Sequence, residues 1–149
     1  MDVRKTGMGS SAAMITSLTA SLLQFFGVVD LRRDIGGKEE ENLSIIHNLA
    51  QIVHAAAQGK IGSGFDVASA VYGSIIYQRF RPEPLQFVME DDVTGDELLS
   101  AVTDTGLWLE LTAQRIQLPA PMDLMMGDIS GGSSSTSMVS PEVGEWKRG

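Results

Sequence analysis

No cysteine occurs anywhere in the 149 residues. That absence excludes disulfides, thiolate zinc sites, iron–sulfur clusters and a cysteine nucleophile, and it fits a reducing compartment. Basic residues are also scarce: eleven Lys plus Arg stand against nineteen Asp plus Glu, a net charge of −8. This balance argues against a nucleic-acid binder that relies on bulk positive potential. A small anionic ligand is still compatible with it, because a site needs only a few local donors. Strongly apolar runs are missing too. Ala12–Val29 carries no charge and follows Arg4 and Lys5, but Thr16, Ser17, Thr19, Ser21 and Gln24 interrupt it. Val28-Val29-Asp30 offers no small-residue cleavage site, so neither a membrane span nor an export signal is expected.

The hydrophobic fraction of 43% and charged fraction of 20% suit one ordinary domain with a real core. Ile15, Leu18, Leu22 and Phe25 or Phe26 recur at helical spacing and predict a buried helix over Ser11–Phe26, stopped by Gly27. Charged residues 30–41 with Gly36-Gly37 read as a surface connection, and the triple glutamate 39–41 as a solvated face. A second helix is expected over Glu40–Gln58, with Gly59 as its stop. A short helical patch, Asp66–Tyr72, and a strand over Ser74–Phe80 follow, ended by Pro82 and Pro84. Further expectations are a strand at Leu85–Met89, a short helix opening at Gly95, an extended segment over Trp108–Leu118 and a strand at Asp123–Gly127. Helices and strands mix without a regular βαβ period, which favours α+β over a doubly wound sheet.

The strongest local signal is Lys5-Thr6-Gly7-Met8-Gly9-Ser10-Ser11-Ala12-Ala13 at the opening of the first helix. Two glycines allow close backbone approach to a ligand, and the free N–H groups and dipole of a helix start favour phosphate. Lys5 adds a full positive charge; Ser10 and Ser11 can cap the helix, bind phosphate oxygen or hold Mg2+. The bland alternative is a Gly-Ser turn capping an ordinary helix. A P-loop is excluded, because the lysine precedes the glycines instead of following them. Gly7-x-Gly9-x-x-Ala12 matches the dinucleotide fingerprint, but only six residues precede Gly7 where that fingerprint needs a strand.

Two further signals stand downstream. Gly59-Lys60-Ile61-Gly62-Ser63-Gly64-Phe65-Asp66 makes a tight turn that delivers an acid to the start of a helix. That carboxylate could orient a nucleophile or manage Mg2+, or it could merely cap the helix. Gly127-Asp128-Ile129-Ser130-Gly131-Gly132-Ser133-Ser134-Ser135-Thr136 could form a second anion nest, or a flexible linker. His47 and His54 are seven residues apart, two helical turns or roughly 10.5 Å, too far for one metal ion. Each is expected to be a polar contact of its helix, and no Ser/His/Asp grouping is expected.

In their order and surroundings the three signals resemble the GHMP kinase superfamily and, within it, the eukaryotic-type phosphomevalonate kinase family. Residues 5–13 resemble its phosphate-binding motif, residues 57–74 the segment with its active-site aspartate, and residues 131–139 its later Gly-Ser segment. The resemblance implies ATP- and Mg2+-dependent phosphorylation of 5-phosphomevalonate to 5-diphosphomevalonate, in isoprenoid and sterol precursor synthesis, with a cytoplasmic or peroxisomal location. It implies Lys5, Gly7, Gly9, Ser10, Ser11 and Ala12 at the nucleotide, with Ser11 also at the metal. It implies Asp66 and Lys5 in catalysis, and Ser63, Gly64, Ser133 and Ser134 towards the substrate. Related mevalonate kinases carry a Mg2+-binding glutamate upstream of that aspartate, where this chain reads His54-Ala55-Ala56-Ala57.

The implied architecture is the α+β fold that the superfamily shares with a ribosomal protein domain. An incomplete N-terminal domain is expected over 1–105, and a later N-terminal segment or the start of a C-terminal domain over 106–149. A chain cut in this way is expected to be poorly soluble or partly folded, and inactive alone. The alternatives are a non-catalytic fragment that binds a protein partner, or another GHMP small-molecule kinase.

Overall fold

The computed structural model describes residues 9–31, 38–90, 92–108 and 112–125. The chain divides into two compact units, Ser11–Leu118 and a second made of Met1–Ser10 with Pro119–Gly149. Of the second unit, residues 119–125 are described; they hold a turn in which the Met122 N–H donates to the Pro119 carbonyl at 2.8 Å. The Asp123–Gly127 strand is absent over its described part, residues 123–125, and the rest lies outside the described residues.

Within the larger unit the order is α1 (Ser10–Phe25, its first residue belonging to the second unit), α2 (Glu39–Gln58), α3 (Phe65–Tyr72) and β1 (Ile75–Gln78). A 3-10 helix (Glu83–Met89), α4 (Gly95–Thr103), a second 3-10 turn (Thr105–Trp108) and β2 (Thr112–Arg115) follow. The two strands pair antiparallel, with Ile75 opposite Arg115 and Gln78 opposite Thr112. The mixture is α+β, as the sequence predicts.

The central element is α2. Its three glutamates sit exposed in the first turn, where the helix dipole favours negative charge. It ends as expected at Gly59, whose φ of +62° lets the Gly59 and Lys60 N–H groups close onto the Ala56 and Ala55 carbonyls. Ile52 of α2 packs with Phe80, Leu85, Ala101, Val102 and Trp108 in one cluster. A second, smaller cluster joins the three first helices through Ala12, Ala50 and Val67. Ala12, Ala50 and Val67 are buried against one another, and this contact places the residues beside them.

Three expectations change. Leu85–Met89 is a 3-10 helix, not a strand: a proline lies in its first positions, where a missing N–H costs nothing. Burial there does not alternate, for Leu85 is buried and the consecutive Phe87 and Val88 both pack against the core. Trp108 belongs to a 3-10 turn instead of an extended segment. Its indole N–H donates to the Ala101 carbonyl at 2.9 Å and its ring meets Phe80 edge-on at 5.1 Å, which removes it from any ladder. Finally, α1 forms where expected but buries Ala12, Thr16 and Thr19. The predicted apolar face is open: Leu18 is 58% exposed and Phe25 80%. The Ala12–Ala50–Val67 cluster, with Ile15 packed against it, marks the side of α1 that faces inwards.

Candidate active site

The turn between α2 and α3 is held by its carbonyls. Gly62 O accepts from Arg79 Nη2 at 2.8 Å, Ser63 O from the Tyr77 hydroxyl at 2.8 Å, and Gly64 O from Gln51 Nε2 at 2.6 Å. The Tyr77 hydroxyl is pushed up to about 12, chiefly by burial, with Arg79 opposing and the Asp66 charge reinforcing the shift. It therefore remains a proton donor to this turn at neutral pH. Gly64 has φ +76°, and a Cβ there would lie 2.6 Å from Gln51 Nε2 and 2.7 Å from the Phe80 ring. Only glycine meets both constraints.

The turn delivers Asp66 to the first turn of α3, where the helix dipole favours a carboxylate. Its Oδ1 accepts from the Val67 N–H at 2.9 Å. Its Oδ2 lies 3.9 Å from His54 Nε2 on α2. The same ring nitrogen lies 3.4 Å from Ser11 Oγ on α1 and 2.7 Å from Gln58 Nε2. The convergence follows from the small-residue crossing. Ser11 precedes Ala12, Asp66 precedes Val67, and His54 stands one helical turn beyond Ala50.

The structure thus brings a serine, a histidine and an aspartate together, a grouping the sequence reading did not expect. It is not a charge-relay triad. Such a triad places the serine on one ring nitrogen and the acid on the other. Here both face Nε2, and at 3.9 Å the carboxylate makes no hydrogen bond to it. What the arrangement offers is two oxygen donors, a hydroxyl and a carboxylate, near one nitrogen of a buried imidazole.

Of the residues singled out from the sequence, Ser11, Ala12 and Asp66 gather at this crossing, and Ser63 and Gly64 lie in the turn that leads to it. Gly9, with φ +71°, and Ser10 stand at the start of α1. Lys5, Gly7, Ser133 and Ser134 lie outside the described residues. His47 is the helix contact expected of it, fully buried in the core. His54 is more than that. A signal for it existed: both histidines are followed four residues later by glutamine, Gln51 and Gln58, the spacing at which side chains on a helix meet.

Comparison with known proteins bears on what this crossing belongs to. The family model for the GHMP kinases N terminal domain matches residues 3–74. The phosphomevalonate kinase of Gibberella zeae is 45% identical over 149 residues, 98% of this chain and 33% of that protein. The peroxisomal phosphomevalonate kinase of Arabidopsis thaliana is 43% identical over 98% of this chain and 29% of its own length. The phosphomevalonate kinase of Candida albicans is 41% identical over 99% of this chain and 32% of its own. The chain thus spans about a third of the length of these curated relatives. No solved structure matches it. Ser11 and Asp66, with the crossing that joins them, fall inside the matched domain: residues 3–74 match the GHMP kinases N terminal domain, and the chain is similar along nearly its whole length to phosphomevalonate kinases.

Proposed function

We propose that the native protein carrying this sequence transfers the γ-phosphoryl group of ATP to the phosphate of 5-phosphomevalonate, giving ADP and 5-diphosphomevalonate. The observation that carries this reading is the identity of 41–45% across nearly the whole chain with proteins named for that substrate. The alternative of a non-catalytic, protein-binding fragment has no comparable support. Cytoplasm is the proposed location, with the peroxisome, named for the Arabidopsis relative, as the other candidate.

The proposed roles follow the family motifs, with the geometry bearing on Ser11 and Asp66 alone. Lys5, Gly7, Gly9, Ser10, Ser11 and Ala12 serve the nucleotide phosphates, where the start of α1 leaves backbone N–H groups unpaired. Ser63, Gly64, Ser133 and Ser134 serve the acceptor. The oxygen donors of Ser11 and Asp66 suit Mg2+, a hard cation, whereas the ring nitrogen of His54 does not. Ser11 and Asp66 would hold Mg2+, which would neutralise phosphate charge. The acceptor phosphate has its second pKa near about 6 and is mostly ionised at neutral pH, so little proton is left to remove. Asp66 therefore acts by holding charge in place and not as a general base. In the transfer, the bond between the γ-phosphorus and its bridging oxygen breaks, its electrons leave with ADP, and an acceptor oxygen forms the new bond.

The test is to incubate the native protein with ATP, Mg2+ and 5-phosphomevalonate and to follow products by phosphorus NMR. ADP and 5-diphosphomevalonate are expected; turnover of mevalonate or a sugar in a substrate panel, but not of 5-phosphomevalonate, sinks the reading. Asp66→Asn is expected to cost about 100-fold or more in kcat through misplaced charge. It should leave the limbs of the pH–rate profile in place, and loss of an enzyme ionisation in that variant would make Asp66 the base after all.

A further inference from the structure

A serine hydroxyl carries one proton and two lone pairs. If a lone pair of its oxygen is to face a cation, the proton must point away from it, towards an acceptor. On α1 two later serines show the ordinary solution. Ser17 donates to the Met14 carbonyl at 2.9 Å and Ser21 to the Ser17 carbonyl at 2.7 Å, each one turn back. Ser11 is the second residue of α1 and has no helical turn behind it. The acceptor it meets instead is His54 Nε2 at 3.4 Å, on a side chain only 9% exposed.

The partners of that nitrogen make it an acceptor. The Gln58 amide donates to it at 2.7 Å, which puts the ring proton on Nδ1. Asp66 Oδ2, at 3.9 Å, is beyond hydrogen-bond reach of it, and the other Asp66 oxygen is already occupied by the Val67 N–H. Gln58, exposed at the last position of α2, is the competitor for the lone pair. Its long side chain can swing into solvent and yield the acceptor to Ser11.

We infer that His54 is the positioning residue of this site: with Gln58 turned away, it accepts a hydrogen bond from the Ser11 hydroxyl and thereby turns a lone pair of the Ser11 oxygen towards a divalent cation. This rests on the kinase reading above. Groups behind a metal ligand orient it in this way, and their loss typically costs about 10–100-fold in metal affinity. The histidine at this position then supports a ligand and is not one itself.

The experiment measures ATP affinity by calorimetry on the native protein, once in Mg2+ and once in EDTA. In the wild type Mg2+ tightens binding. His54→Phe is expected to remove most of that gain, about tenfold or more, while affinity in EDTA stays within about twofold. His54→Gln, which restores an acceptor at the same reach, is expected to recover the gain. If His54→Phe keeps the full Mg2+ gain, or loses affinity equally with and without metal, the inference is overturned and His54 is a packing residue. A wild type that binds no nucleotide under either condition overturns the kinase reading itself, and the inference with it.

Discussion

Gly64 carries the most constrained backbone position beside the site. A methyl group there would meet the Gln51 amide and the Phe80 ring, in a left-handed conformation that a side chain disfavours. Gly64→Ala is therefore expected to cost about 2–4 kcal/mol, combining overpacking with backbone strain. Urea unfolding reads this directly; a loss under about 1 kcal/mol would mean that Phe80 and Gln51 can give way. The same substitution moves the turn that delivers Asp66, so a stability defect and a nucleotide-site defect should appear together.

Among the elements, α2 joins the others through a buried polar chain as much as through apolar contact. Gln51 Nε2 donates to Gly64 O and, at 3.1 Å, to His47 Nε2; His47 Nδ1 meets Asn48 Oδ1 at 3.1 Å; Asn48 Nδ2 donates to Val102 O at 3.0 Å. The chain links α3 to α4 through α2, and it requires a neutral His47, because Gln51 needs the Nε2 lone pair. Burial lowers the His47 pKa from 6.5 to about 4, with the Asn48 hydrogen bond opposing. The sign follows: between these values the unfolded chain takes up a proton that the folded one refuses. This contribution to stability is complete above pH 6.5 and falls away as pH drops towards about 4, by up to about 3 kcal/mol. His47→Gln is expected to be less stable at neutral pH but to show a shallower slope in urea unfolding across that window. An unchanged slope would show that His47 does not carry it. At α4, Thr94 and Glu97 form a reciprocal capping box, and Thr94→Ala should cost about 1 kcal/mol.

Over the whole molecule, no helix among the described residues is long and apolar enough to cross a membrane. An apolar groove of about 220 Å3 nevertheless lies open between α1 and α2, lined by Leu18, Leu22, Phe26, Leu49 and Val53 among others. Open apolar surface of this kind favours association. Leu18→Gln with Phe25→Ser, both at exposed positions, is expected to reduce self-association in light scattering without a large loss of stability. Nucleotide should act in the opposite sense on unfolding. Mg2+ and ATP at about 100 times the Kd should add about 2.7 kcal/mol, visible as a raised melting temperature. Protection by a protein partner alone, with none from nucleotide, would favour the binding-fragment alternative.

The local rules written into the sequence determined much of this protein. Helical spacing and stop signals gave α1, α2 and the opening of α4, with Gly27 and Gly59 in the left-handed conformation their positions predicted. The glycine-rich segments and Asp66 stood out because their chemistry is local. Leu85–Met89 and Trp108 were misread because a short apolar run fits a strand as well as a tight helical turn, and only its neighbours arbitrate. Tertiary structure alone decided which face of α1 is covered and what His54 does. Both depend on three helices meeting at Ala12, Ala50 and Val67, residues far apart in the chain. That crossing sets Ser11 and Asp66 on one imidazole nitrogen, an arrangement that no periodicity within a single helix encodes.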